Sequence, residues 1–263
     1  LDNQLKIKNL KSLDQFANHV ADTGERTLER VETIEFEHVG FTYPGTGTPV
    51  LTDVSFRIYP GERVALVGLN GSGKSTLIKL LLRFYDVDAG QIRINGVDIR
   101  EYRLSELRKN FSAYFQDEPS YSFSLRENIR ISDLGREGGE EAVTEALEAC
   151  CCSDILEMAR KGLDTGLTRM LEEDGLELSI GQYQKVALAR TFFRRHTALI
   201  LDEPSSSLDP KMEHLLFGRL KEMTEGKTVL FISHRLTNIS LAERIIVLEH
   251  GRILEDGTQE ELL

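Results

Sequence analysis

The stretch GLNGSGKST, Gly68 to Thr76, lies between the apolar run RVALVGL and the helical pattern KSTLIKLLLRFY. Gly68, four residues, then Gly73, Lys74 and Ser75 is the spacing of a phosphate-binding loop, here in the strand–loop–helix context that such a loop needs. Glycines let backbone N–H groups of Asn70, Gly71, Ser72, Gly73 and Thr76 wrap a phosphate. Lys74 neutralises its outer oxygens, and the Ser75 hydroxyl can hold Mg²⁺. A chance glycine-rich turn would not require that spacing in that context. The loop therefore demands an α/β fold with a strand feeding directly into a helix.

The rest of the chain agrees with such a fold. TIEFEHVGFTYP and VLTDVSFRIYPGE alternate as short strands around the turn-rich GTGT. Residues 118–195 read as mainly helical and charged, and the apolar strands ALILDE, TVLFIS and RIIVLE follow. Strands alternating with helices imply a largely parallel sheet covered on both faces. Residues 1–31 differ: Leu5, Leu10, Leu13, Phe16 and Val20 recur at roughly helical spacing before the charged run Glu25 to Glu32. They read as an amphipathic helix and linker that pack against another segment, or as a helix on this domain's own surface.

ALILDEP, Ala198 to Pro204, feeds two carboxylates from a buried strand. Asp202 would complete a Mg²⁺ shell, directly or through water, and Glu203 would orient and deprotonate a water attacking a terminal phosphate. Alone this is a polar strand end; paired with the phosphate loop it completes a site. ELSIGQYQKVALAR, residues 177–190, offers no nucleophile, metal ligand or acid/base pair. Ser179 could cap its helix, whose first N–H groups would make an anion site, and Gly181 permits close approach of another chain or a ligand.

In order and spelling these motifs resemble the ATPase domain of an ABC transporter, over residues 33–263. The resemblance implies a P-loop core of mixed, mainly parallel sheet, an antiparallel β subdomain at about 32–60 and a helical subdomain at about 117–195. The core would take about 61–116 and 196–263, and residues 1–31 would be helix and linker from a membrane domain. It implies ATP and Mg²⁺ as ligands. Tyr43 of FTYP, otherwise a core tyrosine, corresponds to the aromatic that stacks on adenine. Gln116 of YFQDE corresponds to the glutamine that touches Mg²⁺ and water, and it would sit at the hinge of a rigid-body helical subdomain. Leu178, Ser179, Ile180, Gly181 and Gln182 match the signature LSGGQ, with Ile180 where glycine is usual. Ser206 to Asp209 correspond to the loop crossing the dimer interface. His234, a residue type more often structural after a strand, corresponds to the histidine that contacts the γ-phosphate.

The same resemblance implies two such domains packed head-to-tail, each ATP lying between one phosphate loop and the other domain's signature. A homodimer is expected, with a heterodimer left open. SLRENI, IEFEHVGFTYP and RIIVLEHGRILEDGTQEELL look like the exporter branch, in which six membrane helices precede the ATPase domain on one chain and the domain lies at the cytoplasmic face. Glu172 and Glu173 would then lie near the partner's coupling helices. A separate ATPase subunit of an importer, or a nucleotide-gated binding module with little turnover, are the alternatives. The second is disfavoured because Glu203 and His234 are both present. The segment from Thr76 to Leu178 is too short for the coiled coil of a chromosome-maintenance ATPase.

Composition narrows the field further. With 32 basic and 43 acidic residues the formal charge is −11, which argues against broad nucleic-acid or anionic-lipid binding. Cys150, Cys151 and Cys152 are consecutive, so on a helix they point about 100° apart and cannot converge on one metal. They read as reduced thiols. No apolar run approaches the ~18–20 residues needed to span a bilayer. The chain is expected to be a soluble body whose membrane-spanning part, if it serves a membrane, lies elsewhere.

Overall fold

The computed structural model describes residues 20–169, 173–233, 239 and 241–262. The amphipathic pattern before Val20 lies outside the described residues. Residues 20–31 run in irregular form along the domain: Arg26 bridges Tyr102, Leu28 and Val31 are buried, and Asn110 Nδ2 donates to the Leu28 carbonyl at 2.6 Å. What reads as a linker is docked on its own domain over this stretch.

Two sheets form the body. The first orders its strands β2-β1-β4-β5, all neighbours antiparallel: β1 is Ile34–Thr42, β2 Pro49–Ile58, β4 Ala89–Ile94 and β5 Val97–Asp98. The alternation along β1 and β2 places Phe36 against Phe56, with ring centroids 4.5 Å apart, because period-two side chains share one face. This sheet takes two of its strands from 89–98, beyond the 32–60 stretch read as the β subdomain. Gln91 to Ile94 alternates, with Ile92 and Ile94 buried, but over four residues only, so the strand signal is short.

The second sheet orders β10-β9-β3-β8-β7-β6. Here β3 is Arg63–Val67, β6 Phe111–Tyr114, β7 Ala198–Asp202, β8 Thr228–Ile232, β9 Arg244–Glu249 and β10 Arg252–Gly257. The five strands from β9 to β6 are parallel, and β10 pairs antiparallel with β9 at the edge. Every residue of β7 and β8 is buried, which is why they read as unbroken apolar runs. Helix α1, Lys74–Leu81, leaves the phosphate loop and packs between the sheets, with Leu77, Ile78, Leu80 and Leu81 fully buried.

Helices α2 (Leu104–Lys109), α3 (Leu125–Arg130), α4 (Gly139–Ala149), α5 (Ser153–Met158), α6 (Ile180–Phe193) and α7 (Pro210–Met223) follow the chain. Leu125, Ile129, Val143, Leu147 and Ile155 bury their side chains with Val186, Ala189 and Phe193 of α6. Each such burial contributes about 1.5–3 kcal/mol, enough to hold the charged helical segment on the α6 face. Cys150 and Cys152 belong to this core; burial pushes the Cys152 thiol up to about 12 and Cys150 well above its usual value. Among the described residues no group of His, Cys, Asp and Glu could hold a metal by itself, and no helix is long and apolar enough to cross a membrane.

Candidate active site

Between β3 and α1 the chain turns through Gly68, Gly71 and Gly73, all at positive φ. At Gly68 a Cβ would stand 2.1 Å from the Leu248 carbonyl oxygen, and at Gly73 2.6 Å from Leu51 Cδ2. These two glycines are fixed by close packing against β9 and β2, whereas a Cβ on Gly71 would meet nothing. Ser72 and Thr76 are buried in the turn. The Lys74 ammonium bends back over the loop and donates to the carbonyls of Gly68 at 2.8 Å and Leu69 at 2.9 Å. Burial lowers its pKa, opposed by the nearby charges of Glu203 and Asp202.

The end of β7 brings acid to the same place. Ser75 Oγ donates to Asp202 Oδ2 at 3.2 Å across 127 positions of sequence. Burial raises the Asp202 pKa; the Ser75 hydrogen bond and Lys74 work against it, while Glu203 and Asp117 add to it. A hydroxyl and a carboxylate meeting at a part-buried point are the hard oxygen donors that Mg²⁺ takes, with its remaining positions filled by water and phosphate. A divalent cation there would supply the charge that Asp202 lacks. Gln116 and Glu203 line, with Gly68, Leu69 and Asn70, one cleft of about 750 Å³.

Glu203 itself sits at φ 53°, in the left-handed region, with its N–H donating to the Ile232 carbonyl at 2.9 Å. A non-glycine residue there costs on the order of 1 kcal/mol and persists only where its surroundings over-determine it. Tyr43 lies beside the loop: its hydroxyl is 3.1 Å from Thr76 Oγ1, and its ring meets Phe41 and Tyr85 edge-on at 5.0 and 5.3 Å. Aromatic packing thus fixes one face of Tyr43 next to the phosphate loop. His234 lies outside the described residues, as does Glu172; Glu173 is exposed.

The signature residues do not join this cleft. Ser179 caps α6 in a reciprocal box: its Oγ accepts from the Gln182 N–H at 3.3 Å, and Gln182 Oε1 accepts from the Ser179 N–H at 3.0 Å. Ile180 is 77% exposed. Leu178 is buried beneath them. The approach that Gly181 permits is made by its own chain, since a Cβ there would lie 2.9 Å from the Ser207 carbonyl oxygen. Ser206 joins Ile180 and Gln116 around a second, smaller cleft of about 130 Å³. Asp209 caps α7, its Oδ1 accepting from the N–H groups of Lys211 and Met212, both at 3.0 Å. That cap is legible in the Asp-Pro pair at 209–210.

A glycine-rich loop whose lysine and serine meet the acidic end of a strand two places away in the sheet defines a nucleoside-triphosphate site of the P-loop class. Residues 51–206, more than half of the chain, match the family described as ABC transporter, and the chain belongs to that family. The ATP-dependent lipid A-core flippase of Thiobacillus denitrificans is 42% identical over 252 residues, covering 95% of this chain and 42% of that protein. The flippases of the same name from Vibrio vulnificus and Pseudomonas putida are 40% and 42% identical, each covering 92% of this chain and 41% and 40% of theirs. A bacterial Atm1-family ABC exporter with ATP bound superposes with a TM-score of 0.86 at 30% identity, covering all of this chain and 45% of that one. The chain thus has the ABC ATPase fold and spans about two fifths of the length of the curated relatives it matches.

Proposed function

We propose that this chain binds Mg²⁺-ATP in the cleft at the phosphate loop, dimerises head-to-tail on it and hydrolyses it to power export across a membrane. The observation that carries the reading is the Ser75–Asp202 contact, which joins the phosphate loop to the strand that also delivers Glu203. ATP would stack its base on Tyr43 and lay its phosphates along residues 70–76. Mg²⁺ would be held by Ser75, Asp202 and Gln116. Glu203 would take the proton of the attacking water, with His234 on the γ-phosphate and Lys74 holding charge on the transferring oxygens.

None of Ser179, Ile180, Gly181 and Gln182 lines the phosphate-loop cleft, Ile180 bordering a different one, and this supports a site completed by a second copy's signature. The end of α6 offers the N–H groups and dipole that a γ-phosphate needs on its uncovered side. Ser206 and Asp209 would lie along that dimer surface. The relatives are more than twice as long as this chain, which supports a membrane domain joined to it and a place at the cytoplasmic face of the membrane. Their shared name points to a lipid A-core molecule as the cargo of the full transporter. The division into β subdomain, core and a helical part at about 117–195 that moves as one body belongs to the same reading.

Phosphate release from Mg²⁺-ATP tests it. The wild-type chain should turn over at high protein concentration, and Glu203→Gln should lose at least about a hundredfold in kcat while accumulating an ATP-bound dimer. A wild-type chain that binds ATP without turnover would favour a nucleotide-gated binding module.

A further inference from the structure

Gln184, on the first turns of α6, is buried and lines the second cleft with Gln116, Ile180 and Ser206. Its amide is engaged chiefly with the loop that follows β7, beside a hydrogen bond with the Tyr114 side chain on β6. Nε2 donates to the Glu203 carbonyl at 3.4 Å and to Ser206 Oγ at 3.2 Å, and Oε1 accepts from the Ser207 N–H at 3.1 Å. One turn earlier, the Ser207 carbonyl oxygen packs against Gly181 so closely that no Cβ fits. The 203–207 loop is therefore clasped to α6 by three hydrogen bonds and one close backbone contact. It is also the loop in which Glu203 holds its left-handed backbone.

We infer that Gln184 is a positioning residue that locks the orientation of Glu203 to the orientation of α6, and so couples the chain's own catalytic carboxylate to the signature it offers a partner. The inference rests on the proposed function, in which Glu203 serves one ATP and the α6 N-terminus serves another. A rotation or shift of α6 as it docks on the partner's γ-phosphate cannot leave the 203–207 loop behind. Both ends of the Gln184 amide are used, so the loop cannot slide along the helix without breaking at least one part-buried hydrogen bond. Each such break takes a partner from the buried Gln184 amide, a cost that favours the two elements moving together. The backbone strain at Glu203 has the same source: the Gln184 clasp and the Ile232 carbonyl hold that residue from both sides. Occupying one ATP site thus sets the base of the other.

The test uses the full 263-residue chain, with steady-state and single-turnover ATPase rates measured across ATP concentration. Gln184→Met keeps the volume and removes all three hydrogen bonds. It should lower kcat about tenfold, leave KM for ATP within about twofold, and bring the Hill coefficient for ATP down to about one. Ser206→Ala, which removes one of the three Gln184 contacts, should lie between, and the double variant should be no slower than Gln184→Met alone. Gln184→Asn, too short to span both contacts, should behave like Gln184→Met and provides the reading if the methionine variant does not fold. If folded variants keep kcat within about twofold of wild type, or lose activity only through a raised KM with unchanged cooperativity, the coupling role is wrong. Either result leaves the proposed ATPase function standing, since that is decided by Glu203→Gln.

Discussion

Ile180 occupies the place where the family signature has glycine, and its exposure changes what that difference means. The side chain stands at the first position of α6 and points into open space, while the backbone of the same residue keeps its N–H for a ligand or a partner. A β-branched side chain at that position narrows the backbone choices and adds bulk beside a phosphate, but it displaces nothing in its own chain. The glycine that packing does require is the next one, Gly181, against Ser207. Replacing Ile180 with glycine should therefore shift ATP affinity or dimerisation modestly and change kcat by less than about fivefold. A steady-state assay showing a gain above about tenfold would contradict this. The demand on Gly181 was visible as a glycine in a motif, but its cause was not, because the Ser207 carbonyl comes from a loop whose approach no local pattern announces.

Among the elements, those that touch the phosphate loop were legible because their sequences are locally one-sided. RVALV, ALILD and TVLFI are unbroken apolar runs with glycine, acid or serine at their ends, and such runs become central parallel strands. The strand at 252–257 was not legible, since polar and charged residues on an exposed edge strand hide the period, and that at 89–94 alternates over too few residues to stand out. The start of α7 shows the opposite case, a local signal strong enough to determine geometry. Asp209 accepts from two helix N–H groups and Pro210 fills the first turn without needing a donor. Asp209→Ala should cost about 1 kcal/mol of stability, roughly a 2–4 °C fall in Tm for a domain of this size. Asp209→Asn, which retains an accepting oxygen, should melt within about 1 °C of wild type. If Asp209 also lies at the dimer surface, the asparagine variant separates the roles: Tm is kept while ATP-dependent dimerisation weakens.

For the molecule as a whole the net charge of −11 bears on the step at which two copies meet. Each brings the same negative sign, and bound ATP adds more, so the long-range field opposes encounter even where the contact surface is complementary. Screening decides how far that field reaches: about 30 Å at 0.01 M salt, which is comparable to the domain itself, and about 8 Å at 0.15 M. Raising salt over that range should therefore speed ATP-driven association of the Glu203→Gln chain, in contrast to a complex steered by opposite charges, which slows. Contacts made after encounter, from the α6 N-terminus to a γ-phosphate, are short-ranged and partly buried, so they lose less to screening. The dissociation rate should change less than the association rate. Light scattering of the trapped dimer at two salt concentrations, with Mg²⁺-ATP saturating, reads both rates. Association that slows as salt rises would mean that local complementary charge at the interface outweighs the global repulsion, and that the acidic surface of this chain faces away from its partner.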